Sequence, residues 1–585
     1  MYSPQLSFTG ISEEIITGFG GYRKNIKANE NEFFDEVNMS SDMFPLMSPR
    51  NKRGTFRITG TTLHGLFAKD KLCFINEGRL WYGDTCIQGL TFPDMSVRRQ
   101  FVSMGTKIIV FPDKVYVDTA NVSDCGSLEA VFTSSGTVTF TLCKGDGTLY
   151  DNYTVSANAP QTPSNGDLWL DTSVQPNVLN QYSSYSGMWV GISETFVKIT
   201  SPLLGERLSK YDGVTISGAS QEAFNGDFTL WSTDENSIVV SGIISNVITQ
   251  TTALTVSRTV PDMDFVCESG NRLWGCSSAN NVIYSSKLGD PKNFNCFMGI
   301  STDSYAVTVG TDGDFTGAVS FRGNVLFFKE NCVHKVYGNN PPYSVNSVFL
   351  RGVQKGSEKS LVILNETLYY KSPTGICSYE GGVPLLISEA LGDDYFKNAV
   401  AGALGNKYYI CMSNKNNVRY LFTYDELSGL WHKEDQIDIK EFATHNCNLY
   451  FISDDGTNRF LSVADAENTY GNFASVLGGY TQENSVRWQV QTGLWGLSLP
   501  GNKYYSKITL MLKGEQGATL KIYFDYNNSG VWEEKCNITV ENTKSFSLPF
   551  ITPRCMCLRM KICGTGKITV LNISRCVERG SELNV

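Results

Sequence analysis

The feature that most constrains the fold is a short unit that recurs about every 40 residues. Each unit reads as an apolar strand, a polar turn and an aromatic strand. Four anchors, Val325, Leu368, Tyr408 and Leu449, follow one another at steps of 43, 40 and 41 residues. The earlier copies begin at Leu72, Ile108 and Leu273. A period of roughly 40–45 residues with about four short strands per unit is typical of β-propeller blades. Because one unit cannot bury its own apolar face, several must pack around an axis, and the anchors predict six or seven.

Composition favours the same fold class. The 585 residues include 54 Gly, 28 Tyr and 33 Phe, and only 18% of them are charged. Aromatic residues suit strands and glycines suit tight turns. The sequence contains no convincing amphipathic helix longer than two turns. We therefore predict an all-β protein: a six- or seven-unit β-propeller with an inserted β domain and a C-terminal β-sandwich.

The spacing of the repeats predicts the domain organisation. The step from Ile108 to Leu273 is much longer than one period, which leaves room for an inserted β-rich domain at 126–258. The propeller then occupies 59–125 and 259–470. Residues 480–585 change to longer alternating strands, which favour a β-sandwich. Residues 1–58 show little regular patterning and read as an extended segment that could run along other chains or complete a blade.

Metal and cofactor sites find little support in the sequence. The 16 cysteines are scattered singly, and Cys73, Cys276, Cys411 and Cys447 read as buried thiols of a chain folded in a reducing cytoplasm. Pairs such as Cys332 with His334 lack the spacing of a structural zinc site. No nucleophile elbow or phosphate-binding loop occurs. We expect no metal, no cofactor and no catalytic residues.

Charge and hydropathy exclude further classes. The formal net charge of −9 argues against binding nucleic acid by phosphate neutralisation, although DNA could pass through a lumen without being held. No stretch approaches the roughly 18 apolar residues of a membrane span, and the first residues are too polar for a signal peptide. We therefore expect neither a membrane span nor a secretion signal.

Two groups of residues are candidates for binding surfaces. Trp169, Tyr182, Tyr185 and Trp189 lie in the predicted insertion and could stack on sugars, or could instead form the small core of that insertion. The second group is the basic cluster Arg50, Lys52 and Arg53. It reads as a solvated turn, or as a contact to an acidic neighbour in a ring assembly.

Five stretches of the chain resemble virion structural proteins of tailed phages and prophages of Gram-positive anaerobes. They are residues 38–50, 165–172, 211–218, 288–300 and 351–360. A propeller with insertions and a β-rich tail also resembles the tail hub, or nozzle, of short-tailed phages. This resemblance implies a ring, with a hexamer favoured, that docks to portal, adaptor and other tail proteins and lets genomic DNA pass through its lumen. It places the chain in the virion tail, after assembly in the host cytoplasm.

Two other functions stay open at this stage. The first is a host-receptor-binding tail protein that recognises surface glycans through the aromatic residues of the insertion. The second is a propeller glycosidase, which would need two carboxylates flanking the scissile bond. With 58 acidic residues in the chain, some pair will always look plausible. The structural, non-enzymatic role is the leading hypothesis.

Overall fold

Strands account for nearly all regular structure of the chain. The computed structural model describes residues 11–26, 28–58, 62–453, 459–462, 477–499, 501–542 and 544–579. These ranges contain 53 strands, three short 3-10 helices (Glu222–Phe224, Glu358–Ser360 and Glu389–Leu391) and no α-helix. The prediction of an all-β protein made of many small sheets is confirmed.

The chain divides into two compact units, and the first comprises Met1–Arg98, Phe328–Val333 and Val348–Val585. Its described residues include three four-stranded antiparallel meanders, each built from consecutive strands. The first meander is Leu63–Lys69, Lys71–Asn76, Arg79–Tyr82 and Thr85–Cys86; the second is Val362–Leu364, Thr367–Ser372, Gly375–Tyr379 and Leu385–Leu386; the third is Lys397–Leu404, Lys407–Ser413, Arg419–Asp425 and Leu430–Lys433.

A five-stranded sheet, here called the closing sheet, joins one strand that precedes these meanders to four strands that follow them. Its strands, in spatial order, are Ile439–His445, Asn448–Ser453, Arg459–Ser462, Gly54–Ile58 and Leu477–Gln482. The strand Gly54–Ile58 thus lies between Arg459–Ser462 and Leu477–Gln482, two strands that come about 400 residues later in the chain. The closing sheet shares a hydrophobic core with the Leu63–Cys86 meander, where Phe56 and Tyr450 pack with ring centroids 6.0 Å apart.

The C-terminal part of the first unit forms two sheets around one core. One sheet has the order Ile11–Ile16, Ile568–Arg579, Lys503–Gly514 and Lys544–Phe550; the other has the order Phe33–Val37, Arg487–Thr492, Leu558–Thr565, Thr519–Tyr526 and Glu533–Thr539. Alternating residues such as Ile508, Leu510 and Leu512 are fully buried between them, as the period-2 pattern predicts. Each sheet includes one strand from the N-terminal segment, and Met39–Ser40 pairs with Ser48–Pro49 in a short ribbon. The segment that looked unpatterned in sequence is therefore paired along much of its length.

The second unit comprises Arg99–Phe327 and His334–Ser347. Two four-stranded antiparallel meanders and most of a third sheet lie in it. They are Gln100–Met104, Lys107–Phe111, Val115–Asp118 and Cys125–Ser127; Phe265–Ser269, Arg272–Ser277, Val282–Ser285 and Tyr305–Thr308; and Gly317–Phe321, Asn324–Phe328, Cys332–Tyr337 and Ser344–Phe349. Each of the seven anchors noted in the sequence falls in the second strand of a sheet, either a meander or the closing sheet.

Residues 130–258 of the second unit form three further sheets. They are Ala130–Thr133, Thr255–Arg258, Gly213–Ser217 and Gly226–Thr229; Ser232–Asp234, Ser237–Ser241, Phe196–Thr200, Val138–Cys143 and Ile248–Gln250; and Thr154–Ser156, Leu168–Asp171, Val178–Ser183 and Met188–Gly191. One hydrophobic core joins all three, with Phe140, Leu170, Leu179 and Val256 among its buried members.

Candidate functional site

Three of the four aromatic residues singled out in the sequence lie on one face of the small Thr154–Gly191 sheet. The register pairs Tyr182 with Trp189 across neighbouring strands and Trp169 with Asn180, so all three rings point the same way. The Trp189 ring centroid lies 5.5 Å from Trp169 and 5.3 Å from Tyr182, in edge-to-face contacts. Trp169 is buried and its indole N–H donates to the Ser156 carbonyl at 3.0 Å.

The opposite face of this sheet carries Leu170 and Leu179, which are fully buried in the core of residues 130–258. The aromatic cluster therefore faces away from that core, and Tyr182 and Trp189 stay partly exposed. Tyr185 lies in the turn that follows, fully exposed and apart from the cluster. The structure thus joins three of the predicted residues into one surface and separates the fourth.

The basic cluster differs from its prediction. Arg50 and Arg53 are buried at 7% and 5% exposure and form ion pairs within the chain. Arg50 donates two hydrogen bonds to the Glu483 carboxylate at 2.8 and 3.1 Å. Arg53 donates two to Asp435 at 2.8 and 3.0 Å and another to Glu434. The expected solvated turn is therefore wrong for both arginines, because their side chains are buried and paired with carboxylates of the same chain. The contact to a neighbouring subunit stays a prediction.

Lys52 alone of this cluster is exposed.

The arginines also lower the pKa values of two of the carboxyl groups that they bind. Burial on its own would raise the pKa of Asp435, but attraction and hydrogen bonding from Arg53, with a smaller effect of Arg50, hold that pKa below its usual value. The pKa of Glu483 is likewise lowered: the hydrogen bond and charge of Arg50 outweigh burial.

A groove of about 690 Å³ in the second unit was not anticipated from the sequence. We call it the insertion groove. It is lined by residues that include Glu194, Thr195, Asp227, Trp231, Asn295 and Phe297. Trp231 is partly buried against Phe196, with ring centroids 5.1 Å apart, while Phe297 is 61% exposed. The groove therefore combines aromatic faces with carboxylates, an amide and hydroxyls.

A network around Asp303 holds the Phe297 side of the insertion groove. One carboxylate oxygen of this buried residue accepts hydrogen bonds from the backbone N–H groups of Met298, Gly299 and Ile300 at 2.6–3.1 Å. Arg272, also buried, donates to backbone carbonyls of the same loop. Because the backbone is tied at several points, the loop that carries Phe297 is fixed rather than free to collapse into the groove.

Gly213 packs closely against the segment that contains Asn293 and Asn295. Its backbone N–H donates to the Asn293 side chain at 2.9 Å, and a Cβ at this position would lie 2.3 Å from the Asn295 carbonyl oxygen. Only glycine permits so close an approach. Asp212, the residue before Gly213, accepts a hydrogen bond from the Asn293 side chain at 2.9 Å and forms a buried ion pair with Arg258.

Sequence reasoning missed the groove because its residues lie about a hundred positions apart and carry no spacing motif. A signal was nevertheless present. The stretches 211–218 and 288–300, which carry part of the resemblance to phage proteins, contain Asp212, Gly213, Asn293 and Asn295 and lock against each other here. The two stretches are thus packed against each other in the structure.

The described residues contain no group of three or more His, Cys, Asp or Glu side chains placed to hold a metal ion. His334, one of the residues considered for zinc, lies within hydrogen-bond distance of Thr311 and Ser347, at 2.9 and 2.7 Å.

All 16 cysteines are free thiols. Cys73, Cys276 and Cys411 are buried as predicted, but Cys447 is exposed because it lies in the turn after Ile439–His445. No helix in the described part of the chain is long and apolar enough to cross a membrane.

Comparison with known proteins finds no matching family model and no curated protein with a similar sequence. Solved structures with some likeness include the endosialidase of phage phi92, at 11% identity and a TM-score of 0.25 over 74% of this chain and 72% of that one. An exo-β-1,3-galactanase from Phanerochaete chrysosporium matches at 11% identity and a TM-score of 0.19, over 52% and 92% of the two chains. The Trypanosoma rangeli sialidase matches at 8% and 0.21, over 97% and 95%. Similarities this low assign the chain neither a fold family nor a function.

Proposed function

We propose that this chain is a structural, non-enzymatic component of a bacteriophage tail, which forms a hub or nozzle ring around the DNA-ejection channel. The proposal joins the sequence resemblance to a feature of the first unit. The chain would assemble in the host cytoplasm, most simply as a hexamer, and dock to portal, adaptor and neighbouring tail proteins. The net charge of −9 suits a wall that DNA passes without binding.

The observation that supports it best is the joint between the first and last repeats. The Leu63–Cys86 meander and the closing sheet share one core, and Glu441 of the closing sheet accepts a hydrogen bond from the backbone N–H of Leu66. The strand Gly54–Ile58 completes the closing sheet. A propeller of seven blades that is closed by its N-terminal strand has this connectivity. Such closure leaves few free sheet edges and makes a rigid wall element.

Immunogold labelling of purified phage particles tests the position of the chain. An antibody against the full-length chain should label the tail near its junction with the capsid. Label on the capsid shell, or none on intact or detergent-opened particles, would contradict the proposal. A parallel assay for reducing sugar released from host cell wall should stay at background for the purified chain, because we propose no catalysis.

The aromatic cluster favours a second candidate function, which is recognition of host glycans. Trp189 and Tyr182 present partly exposed rings on the sheet face opposite the buried Leu170 and Leu179, and such rings stack on the apolar faces of sugars. Full-length chain carrying Trp189→Ala should then bind host cells at least about tenfold more weakly, whereas Tyr185→Ala, outside the cluster, should bind as the unaltered chain does. Equal binding to host cells by the unaltered chain, Trp189→Ala and Tyr185→Ala would exclude the aromatic cluster as a glycan-binding surface.

A further inference from the structure

We propose that the insertion groove binds a short segment of a neutral or amine-bearing oligosaccharide. The inference rests on the second candidate function, glycan recognition, but assigns it to a different site from the Trp169–Tyr182–Trp189 cluster. It does not depend on the chain forming a hub. The volume of about 690 Å³ falls within the usual range of about 300–1,000 Å³ for small-molecule sites, which suits a segment of two or three sugar rings.

The aromatic side chains of the groove provide the apolar contacts. Phe297 keeps 61% of its surface exposed although it sits on a loop tied down at several points. Trp231 contributes a second, partly exposed ring whose position is fixed by Phe196. Sugar rings carry C–H faces that pack on such aromatic surfaces, so a bound ring would cover apolar area that now faces water.

The polar side chains of the groove match the hydroxyl groups of a sugar. Glu194 and Asp227 are acceptors that can each take hydrogen bonds from two neighbouring hydroxyls. Thr195 and Asn295 add groups that both donate and accept. The Asp227 carboxylate is already oriented, because it accepts the Thr215 hydroxyl at 2.6 Å. A protein surface patch without hydroxyls would leave these acceptors unsatisfied when it covered them, at a cost in binding free energy.

The charge of the groove selects among glycans. Two carboxylates line it, and no Lys or Arg occurs among the described residues that do so. Sialylated or phosphate-bearing sugars would bring a third negative charge into a partly enclosed space, where repulsion is strong. Neutral sugars avoid this repulsion. A protonated amine on the sugar would be attracted by the two carboxylates.

Calorimetric titration of the full-length chain tests the proposal with three probes: chitotriose, its deacetylated form glucosamine trimer, and 3′-sialyllactose. We expect binding of the first two, with the deacetylated form tighter at pH 6, and at least about tenfold weaker binding of sialyllactose. Phe297→Ala should weaken binding at least about tenfold without affecting folding, because that ring is exposed. Asp227→Asn should reduce the preference for the amine.

The outcomes separate this proposal from the second candidate function. Loss of binding in Phe297→Ala but not in Trp189→Ala supports the groove. Loss in Trp189→Ala alone overturns the groove and leaves the aromatic cluster as the glycan site. Sialyllactose binding as tight as chitotriose also overturns it. Absence of binding by all three probes at millimolar concentration overturns the groove proposal, and it leaves the proposed role in the tail untouched.

Discussion

At the scale of single residues, buried charge is the most consequential feature of the first unit. Arg53 is 5% exposed and forms ion pairs with two carboxylates, Glu434 and Asp435, that follow a strand of the neighbouring meander. Buried ion pairs add little net stability compared with apolar replacements, but loss of one partner leaves the other charge unpaired in a poorly solvated place. The N-terminal segment is therefore held in position by charges that cannot be removed singly.

Arg53→Ala should destabilise the first unit by about 3–5 kcal/mol, because it removes the hydrogen-bonded partner of Glu434 and Asp435 and leaves them only the longer ion pairs to Arg50, at 3.7 and 3.8 Å. Chemical denaturation followed by fluorescence measures this change. Lys52→Ala provides the matched control, since this neighbouring cation is exposed and should change stability by no more than about 0.5 kcal/mol. Equal effects of the two substitutions would contradict the account of the cluster.

The lowered pKa values of Asp435 and Glu483 predict a dependence of stability on pH. A carboxyl group whose pKa is depressed in the folded state stabilises the fold above its unfolded pKa, and this contribution is lost as pH falls through the folded pKa. The loss should begin near the usual values of 3.8 and 4.5 and continue below them.

Denaturation of the unaltered chain and of the double variant Asp435→Asn, Glu483→Gln between pH 7 and pH 3 tests this dependence. The variant should be less stable at pH 7, and the difference in stability should narrow as the pH falls below about 4, because the unfolded state then takes up protons on these two carboxyl groups before the folded state does. A difference that stays constant over this range would show that the two groups do not titrate as described.

A substitution at Gly213 tests the close packing between residues 211–218 and 288–300. Gly213→Ala places a Cβ 2.3 Å from the Asn295 carbonyl, so the backbone of one side must move. We expect a loss of about 1–3 kcal/mol in stability, as for overpacked cores. Gly126→Ala, in another strand with nothing within 4 Å of the added carbon, serves as the control and should be nearly neutral. An unaffected Gly213→Ala variant would contradict the close packing.

At the scale of elements, the closing sheet connects the two ends of the repeat. Thr55 pairs with Leu461 on one side and Thr481 on the other, so its strand is central in the sheet. Thr55→Pro should cost about 3 kcal/mol or more and expose the core around Phe56, because proline removes a donor and is excluded from central strands. Limited proteolysis would reveal the opened sheet. Thr55→Val keeps the strand and should behave as the unaltered chain.

The sequence predicts the repeated strands, but it does not predict which distant segments pair or pack together. Each anchor, from Leu72 to Leu449, predicts the second strand of a sheet, because these strands are apolar runs buried on both faces. The pairing of Ile11 with Glu578 has no local signal, since partner choice depends on contacts across the whole chain. Arg50 and Arg53 were assigned to the surface because arginine is rarely buried. The insertion groove was missed for the same reason as the distant pairings.

At the scale of the whole molecule, the chain combines a repeated sheet unit with an N-terminal segment that pairs with distant strands. The N-terminal segment contributes strands to the closing sheet and to both C-terminal sheets, so these elements of the first unit are tied by backbone hydrogen bonds. Subunits of a closed ring contact one another through repeated, identical interfaces. The proposed tail role requires such an assembly.

The copy number of the chain per phage particle, measured by quantitative mass spectrometry against the portal protein, is the decisive test of the proposed ring. We expect six or twelve copies for each portal ring, as a closed ring on the tail axis requires. About three copies, or a larger peripheral set, would indicate a spike or receptor-binding fibre instead. Absence of the chain from purified particles would contradict a structural role in the tail.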